Sequence, residues 1–496
     1  MTAASGAARF LVPTAAALCA VLAAAQLGAL PPLRFAWALN LWQYLPTALA
    51  LGLAALTLAL CWPPPRTELV RRLPASWAER ALPRSAAGAV GVALGCALVL
   101  WLLRERRMYG DSDILLYNAA TGAAFLFPDI GATFLFQLCH HLGTALGTPG
   151  QPVVQVLVAL AGGATIVCFA AVARLLTPTP ARALLFLLLV LGGGLLRVLA
   201  GHVEVYAFVL LCAAAYFWSA IACLQGRCAP TWPALAFGTG LWMHFSFSFL
   251  APSLLVVALA CPGDANAPPA ERGGVAGRVL VMALVAAAPL LGFLLSMLLT
   301  GHGAELAQAA ETVLRWSGIE PSPVGHEAFL RRPFGESGAG TRYAILSAGH
   351  LKYLANAFLL LAPSAVPLLA GLLVVAPRSF VATREAIFLS SAALFMLLYA
   401  LVVRPVWGPY DWDLFSLTAA ALACLAAYLL VRVLPDPPLT ELAVILVGAT
   451  LLLVTIPFLA IGIAPVHQAG PFAFGLVSRA GESPVDAFER QIGPWL

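Results

Sequence analysis

The sequence predicts an all-α fold, a polytopic integral membrane helical bundle of about thirteen transmembrane helices with outward-facing interfacial helices and loops. Two observations predict it. Hydrophobic residues make up 61% of the 496-residue chain and charged residues 10%, with a mean hydropathy of +0.93, a composition foreign to soluble globular domains. Apolar runs of about twenty residues, long enough to cross roughly 30 Å of hydrocarbon, also recur along the chain.

The apolar runs define the predicted spans in order. They are residues 10–30, 41–62, 86–103, 152–172, 183–200, 205–224, 279–300, 353–376, 386–403, 414–432 and 442–464, with two short spans inside 232–261. The run 232–261 is too long for one helix and is interrupted at His244, so we predict a hairpin there. Residues 1–464 then form one transmembrane domain, followed by a short polar tail, 465–496. The many later spans favour an uncleaved first helix over a signal peptide.

Arginine placement predicts the orientation, because short cytoplasmic loops are enriched in basic residues. The arginine-rich loop 63–84 should be cytoplasmic, which places the N-terminus inside. Alternation then places the C-terminal tail and four loops on the outer side: 104–151, 201–204, 301–352 and 404–413. This requires that 130–146, a moderately apolar segment with two histidines, lies at the interface and does not cross the membrane. If it crossed, every later loop would change sides.

Composition also excludes several function classes. The net charge of +5 is spread too thinly to indicate a nucleic-acid partner. Most of the ten cysteines lie inside apolar runs and no CxxC pair occurs, which argues against disulfides and against a zinc-thiolate site. The chain has no P-loop, no GxSxG elbow and no HExxH motif.

The first candidate motif is Tyr109-Gly-Asp-Ser-Asp113, at the outer end of the span 86–103. The carboxylates of Asp111 and Asp113 are suited to bind a divalent cation, Mg²⁺ or Mn²⁺, or to take a proton from an acceptor hydroxyl. The alternative is a solvated turn in which Ser112 or Asp113 caps the following helix. Whether a metal binds here stays open, and the sequence requires no cofactor.

The second motif runs from Arg197 to Tyr206, where two spans meet with almost no loop between them. His202 and Glu204 are thereby held at or below the headgroup level, where ionisable side chains are costly and usually face a cavity or a partner. An internal Arg197–Glu204 ion pair that locks the hairpin is an equal and compatible interpretation. His244 also interrupts an apolar run, and a histidine satisfied by a neighbouring helix is its commoner explanation.

The third motif is Arg404-Pro-Val-Trp-Gly-Pro-Tyr-Asp-Trp-Asp413. Tyrosine and tryptophan are usual at a membrane interface, so Trp412 alone is uninformative. Asp411 and Asp413 are not explained in that way, and carboxylates beside aromatic rings are suited to hold a sugar. Arg404, a basic residue on the predicted outer side, suits a phosphate.

The long outward loop 301–352 contributes further basic residues. Loops of this length are usually functional or disordered. Arg331, Arg332 and Lys352 lie outside the membrane and near it, a placement that suits a lipid-linked phosphate. A solvated loop is the alternative for each of them individually.

With these motifs in place, the chain resembles the GT-C superfamily of polytopic glycosyltransferases, which use polyprenyl-phosphate-linked sugars. The likeness covers most of the chain as architecture: an acidic motif in the first large outward loop, an interfacial helix after it, and a late outward loop. The local matches are Tyr109-Gly-Asp-Ser-Asp113, Gly201-His-Val-Glu-Val-Tyr206 and Gly408-Pro-Tyr-Asp-Trp-Asp-Leu-Phe415. Two extra spans before the acidic loop depart from the superfamily's usual order.

The resemblance implies an inverting transfer to an acceptor hydroxyl on the non-cytoplasmic face. A carboxylate, Asp111 by preference over Asp113, would take the acceptor's proton, and arginine and lysine side chains would stabilise the leaving lipid phosphate. The substrate-binding candidates are Arg197, His202, Glu204, Tyr206, His244, Arg331, Arg332, Lys352, Arg404, Asp411, Trp412 and Asp413. The implied partners are a polyprenyl-phosphate-linked sugar, an acceptor glycan, lipid or protein, and the bilayer of a bacterial inner membrane, with no nucleic acid.

Two other functions stay open at this stage. A transporter or flippase for a lipid-linked or anionic solute would use the same polar groups, but transporters usually place them near mid-membrane, whereas here they gather at one interface. A scaffold protein, in which the polar clusters only fix helix ends, is the other alternative.

Overall fold

The protein is an integral multi-pass membrane protein built from α-helices. The computed structural model describes residues 3–27, 38, 41–64, 68, 82–83, 85–106, 112–122, 129–262, 274–307, 311, 346–403 and 412–463. The α-helices are α1 Ala3–Gln26, α2 Thr47–Cys61, α3 Ala86–Leu102, α4 Ser112–Thr121, α5 Ile130–Ala145, α6 Gly150–Leu176, α7 Pro180–Leu191, α8 Leu195–Leu199, α9 Tyr206–Leu224, α10 Thr231–Met243, α11 Ala251–Ala260, α12 Val275–Leu299, α13 Ala348–Leu361, α14 Ala365–Val375, α15 Arg384–Val402, α16 Ser416–Val433, α17 Asp436–Thr450 and α18 Ile456–Ile463.

Within these described ranges, seven helices are long and apolar enough to cross a membrane, and eight if the bent pair α13–α14 counts as one span. Shorter apolar helices occur at Thr47–Cys61, Ala86–Leu102, Pro180–Leu191 and Phe245–Ala260. The all-α bundle is therefore confirmed, whereas the predicted total of about thirteen spans is not. α16 and α9 lie at the centre of the bundle. α12 lies at its surface and exposes a row of leucines, as a lipid-facing helix does.

Two spans that were predicted as single helices are each broken into two helices. The two breaks lie against each other in the bundle. The span 353–376 is α13 and α14, bent by 100° at a break that contains Pro363, whose ring cannot continue a helix. The span 183–200 ends at Leu191 and resumes at Leu195. Between them Gly193 has a φ of +92°, and a Cβ there would lie 2.5 Å from Leu361 O, so only glycine fits.

The hairpin predicted within 232–261 is confirmed. α10 ends at Met243, and His244 is extended, with φ −157°. A 3₁₀ segment, Phe245–Leu250, then leads into α11. Because His244 leaves the helical conformation, its side chain is presented at the tip of the hairpin.

The bundle has two chemically different ends. The histidine end is formed by residues 104–106, 200–206, 244 and 412–416. The arginine end is formed by the opposite helix termini and carries Arg174, Arg182, Arg227, Arg278, Arg384 and Arg432. Hydrogen bonds tie the arginine end together, among them Arg182 Nη2 to Leu434 O at 3.4 Å and Gln225 Nε2 to Leu175 O at 3.0 Å.

α5 begins and ends at the histidine end. Asp129, which precedes its first residue, lies 3.2 Å from His244. Gln155, five residues into the next helix, donates a hydrogen bond to Glu105 O at 3.0 Å. α5 therefore does not run from one end of the bundle to the other, and among the described residues it is not one of the apolar helices suited to cross a membrane. This geometry agrees with the interfacial position expected for 130–146.

Candidate active site

A buried histidine links two carboxylates at the histidine end. His202 Nδ1 lies 2.8 Å from Glu105 Oε1, and His202 Nε2 lies 2.9 Å from Asp413 Oδ2. His202 is held in a tight turn before α9, where Gly201 has a φ of +63° and a Cβ would lie 2.6 Å from Arg104 Cβ. The turn thus joins three segments that are far apart in sequence.

Glu105 is fixed by four neighbours besides His202. Its backbone N–H donates to Ala200 O at 3.3 Å, and its carbonyl accepts from Gln155 Nε2 at 3.0 Å. Its carboxylate accepts from the backbone N–H of Val203 at 3.4 Å and lies 3.6 Å from Arg197 Nη2. Because Glu105 is itself immobilised, it orients the imidazole of His202.

Arg197 supports the cluster from the side away from the pocket. Its guanidinium lies 4.1 Å from the ring centre of Phe458 and 5.6 Å from that of Trp412, and Nη1 donates to Phe458 O at 3.2 Å. The ion pair that the structure describes for Arg197 is with Glu105, whereas the sequence suggested Glu204. Arg197 is therefore a positioning residue, held by aromatic faces and paired through charge.

The charge state of His202 follows from its two partners. Burial lowers its pKa, but the charge of Glu105 and the hydrogen bonds that His202 donates to both carboxylates outweigh this effect, and the pKa rises to about 9. At neutral pH and without a bound metal, His202 is an imidazolium that donates to both acids.

We predict a loss of stability at alkaline pH from this group. A folded-state pKa of about 9, above the unfolded value of 6.5, contributes stability that is complete below pH 6.5 and is lost as the pH rises through 9. The loss should amount to about 3 kcal/mol. Thermal unfolding in detergent between pH 6.5 and 10 measures it. A His202→Gln variant, which cannot titrate, should be less stable at pH 6.5 and should lack this alkaline loss; an identical pH profile would contradict the prediction.

A small pocket opens beside this cluster. It is lined by Asp129, Glu204, Tyr206 and Asp413, with apolar walls from Leu115, Val205 and Leu414. Its free volume is about 30 Å³, enough for a water molecule or a metal ion. Three acidic side chains from three different segments therefore face one space.

His244 lies next to Asp129, one of the acidic residues that line the pocket. Its Nε2 lies 3.2 Å from Asp129 Oδ1, and its Nδ1 accepts the backbone N–H of Ser246 at 2.9 Å. Since Nδ1 accepts, it carries no proton, and the ring's proton is on Nε2, the atom that faces Asp129 Oδ1. Burial agrees with a neutral ring, because it lowers the pKa of His244 to about 3.

For His244 we predict a contribution to folding stability with the opposite pH dependence to that of His202. Its folded-state pKa lies below 6.5, so its contribution to stability is complete above pH 6.5 and is lost as the pH falls toward 3. Thermal unfolding of the wild type should show an acid limb that a His244→Asn variant, which keeps an acceptor for Ser246 N–H, shows less strongly. An equally steep acid limb in the variant would contradict the neutral assignment.

His202, Glu204 and Asp413 also fit a metal site. Their ligand atoms lie within 4.8 Å of one another. Glu105 accepts from Nδ1–H of His202, which is the usual arrangement behind a metal-ligating histidine and leaves Nε2 to face the pocket. One imidazole and two carboxylates suit Mn²⁺ better than Mg²⁺, which prefers oxygen ligands alone.

Most of the sequence-predicted site residues that the structure describes lie together. Those brought together at the histidine end are Arg197, His202, Glu204, Tyr206, His244, Trp412 and Asp413. Lys352 is exposed on α13 near this end, since His350 Nε2 lies 3.1 Å from Ala400 O at the end of α15. Outside the described residues lie Asp111, Arg331, Arg332, Arg404 and Asp411, together with the side chain of Asp113.

Two residues of the site were missed from sequence. Glu105 stands between arginines, which offered a local explanation for its charge, although it directly follows an apolar helix. Asp129 precedes α5 and looks like a helix cap, yet its side chain makes no capping hydrogen bond. A signal for both existed in His202 and His244, because a histidine at the end of an apolar run requires a buried partner.

A larger pocket, of about 150 Å³, lies at the arginine end. It is lined by Leu82, residues 177–180 and Ala183, with Arg174 as its single ionisable side chain. It lacks the acid and base groups that catalysis needs, so the smaller acidic pocket is the candidate site.

Two solved structures are similar to this chain. One is the crystal structure of ArnT from Cupriavidus metallidurans bound to undecaprenyl phosphate, with 18% identity and a TM-score of 0.42 over 70% of this chain and 61% of that chain. The other is the oligosaccharyltransferase of Archaeoglobus fulgidus tethered with an acceptor peptide, with 11% identity and a TM-score of 0.33 over 69% of this chain and 49% of that chain. The chain thus spans less than two thirds of either protein. No protein-family model and no curated protein matches it.

Proposed function

We propose that this chain is a membrane glycosyltransferase that moves a sugar from a polyprenyl-phosphate donor to an acceptor hydroxyl, with inversion at the anomeric carbon. The observation that carries the proposal is the pocket lined by Asp129, Glu204 and Asp413 at one end of an apolar bundle. Glu204 and Asp413 are buried and Asp129 is half-buried. Buried carboxylates are costly for stability, so their grouping in one pocket favours a role in chemistry. Carboxylates are the usual acid and base groups of glycosyl chemistry.

The position of the pocket suits a substrate with two parts. α16, α9 and their neighbours form an apolar body, and the buried ionisable groups of the described residues gather at its histidine end. A lipid-linked sugar keeps its hydrocarbon tail in the bilayer while its phosphate and sugar reach the level of the headgroups. A pocket at the end of the bundle meets such a head group without removing the tail from the membrane.

The base that we propose is Asp111, with Asp113 as the second choice. What supports this choice is that Leu115, which follows the motif in sequence and belongs to α4, lines the acidic pocket. The carboxylate takes the proton of the acceptor hydroxyl while the oxygen of that hydroxyl attacks the anomeric carbon of the donor sugar. The bond from that carbon to the phosphate oxygen breaks, and the lipid phosphate leaves with both electrons. No covalent enzyme intermediate is needed.

Basic residues would stabilise the leaving phosphate. Lys352 is exposed near the histidine end. Arg331, Arg332 and Arg404 are the further candidates from the sequence. A phosphate monoester that leaves with negative charge is stabilised by such cations in the transition state more than in the ground state, which raises the rate.

His202, Glu204 and Asp413 are the residues that would hold a divalent cation. When bound, the ion would supply positive charge to a substrate phosphate. Glu105 would keep Nδ1 of His202 protonated and thereby aim Nε2 at the pocket.

We expect chelation to test this assignment. If the cluster binds a cation during turnover, EDTA should lower the transfer rate by at least about tenfold, and Mn²⁺ should restore it more fully than Mg²⁺. If the metal-free enzyme keeps its full rate, no cation is needed for turnover, and Nε2 of His202 carries a proton that it donates to Asp413. A Glu385→Gln variant, changed at the arginine end, should respond to EDTA as the wild type does.

The proposal includes an orientation. The helix termini opposite the pocket carry several of the described arginines, among them the six named for the arginine end. Because basic residues concentrate on the cytoplasmic side, the pocket would face outward, with the N-terminus cytoplasmic and the C-terminus outside, in a bacterial inner membrane.

The experiment that tests the function uses the purified full-length protein. It is incubated with radiolabelled polyprenyl-phosphate sugars and, separately, with nucleotide sugars, together with candidate glycan, lipid and protein acceptors. Label should pass to an acceptor from the lipid-linked donor only. Movement of intact labelled donor across sealed vesicles without transfer would identify a transporter and overturn the proposal, as would transfer from the nucleotide sugar alone.

A further inference from the structure

The arginine end holds a pair of cysteines that the candidate active site does not use. Cys223 Sγ and Cys261 Sγ lie 2.7 Å apart, and both residues are free thiols. A disulfide bond is about 2.05 Å long, so a small movement would join the two sulfurs. Cys261 Sγ also donates a hydrogen bond to Cys223 O at 3.2 Å, which keeps the two residues next to each other.

The pair is positioned by two helix ends. Cys223 is in the last turn of α9, and Cys261 directly follows α11. The other ends of these segments are at the histidine end, where α9 begins at Tyr206 and the 3₁₀ segment before α11 follows His244. A covalent bond between the cysteines would therefore tie together the far ends of the two helical segments that position Tyr206 and His244.

We propose that Cys223 and Cys261 form a reversible disulfide, a redox modification site, with a low-molecular-weight disulfide such as glutathione disulfide as the oxidant. The Cys261 thiolate attacks one sulfur of glutathione disulfide and expels one glutathione thiolate, which gives a mixed disulfide. The Cys223 thiol gives its proton to that released thiolate, and its sulfur attacks Cys261 Sγ and expels the second glutathione as a thiolate, which takes up from water the proton that Cys261 had released. The protein loses two electrons and two protons, and glutathione disulfide gains them.

The surroundings favour Cys261 as the first sulfur to react. It is 6% exposed at the end of its helix, whereas Cys223 is fully buried. Arg278 Nη1 donates to Cys261 O at 2.7 Å, which places a positive charge beside this thiol and favours its thiolate. This inference is independent of the proposed function.

Cys228 provides the matched control. It is half-buried near the same end of α9 and close to the pair, but its Sγ donates to Ser219 O at 3.3 Å, whereas the described sulfur–sulfur contact joins Cys223 and Cys261. If the contact between Cys223 and Cys261 decides which thiols pair, replacing Cys228 should leave the disulfide unchanged. If nearness along the chain decides it, replacing Cys228 should change the pairing.

The experiment is thiol mapping of the full-length protein in detergent. The wild type, Cys228→Ser and Cys223→Ser proteins are treated with glutathione disulfide, unfolded, alkylated and digested for mass spectrometry. Alkylation of Cys223 and Cys261 should fall at least tenfold in the wild type and in Cys228→Ser, a peptide linked through these two residues should appear, and dithiothreitol should reverse both changes. In Cys223→Ser the linked peptide should be absent.

Two results would overturn the proposal. One is full alkylation of Cys223 and Cys261 in the oxidised wild type. The other is a linked peptide in the wild type that contains Cys228 in place of either residue. Both are read from the wild-type protein, so neither depends on the folding of a variant.

Discussion

Replacing Asp413 with asparagine is expected to lower the rate of sugar transfer by about 10- to 100-fold, the usual loss when the support of a site histidine is removed. Asp413 Oδ2 accepts from His202 Nε2 at 2.9 Å, and its carboxylate also faces the acidic pocket. Asparagine keeps the size of the side chain and removes its charge, so both the orientation of His202 and the negative potential of the pocket are weakened together. Initial rates with labelled lipid-linked donor measure the effect.

The Asp413→Asn variant needs a control for folding, because Asp413 is buried. Its thermal midpoint is compared with that of the wild type, and Asp413→Glu, which restores the charge on a longer side chain, should recover part of the lost rate. A folded Asp413→Asn protein that transfers sugar at the wild-type rate would show that the pocket is not the site of the reaction.

Replacing Asp111 with asparagine should lower the rate by about 10²–10⁴-fold, because a general base contributes about that much. The reason is that an amide cannot take the proton of the acceptor hydroxyl. The matched variant is Asp113→Asn, two residues along the chain, for which we expect a smaller loss. The pair is compared in single-turnover assays with donor already bound, so that weaker binding and slower chemistry are separated.

The outcome for Asp111 also distinguishes the three functions considered from the sequence. An enzyme loses transfer and keeps its thermal midpoint. A transporter would keep most of its transport rate, and a scaffold protein would change only in stability. Unchanged transfer in both Asp111→Asn and Asp113→Asn would remove this motif as the base.

The fold could be predicted from the sequence further than the site could. Apolar runs and the break at His244 are local signals, and they gave the helical hairpin within 232–261. The bend at Pro363 was overlooked because the apolar run continues through it, although the proline was visible. Gly193 and Gly194 break the preceding span for a reason that lies elsewhere in the chain, the close approach of the backbone of Leu361 and Leu360.

The candidate site depends on contacts that no local pattern specifies. His202 and Asp413 are 211 residues apart, and His202 and Glu105 are 97 apart. The sequence indicated that His202 and Asp413 were out of place in an apolar chain, because ionisable groups there are costly. It did not indicate which of the available carboxylates each histidine would contact, so Glu105 and Asp129 were missed.

The most direct test of the central claim, that the histidine end carries the reaction, compares two glutamates. Glu204 lines the acidic pocket, whereas Glu385 lies at the arginine end, 3.4 Å from Gln225 Nε2. Transfer rates of Glu204→Gln and Glu385→Gln are measured with the same donor and acceptor. We predict a loss of at least about tenfold for Glu204→Gln and a wild-type rate for Glu385→Gln. Equal rates for the two variants would contradict the claim.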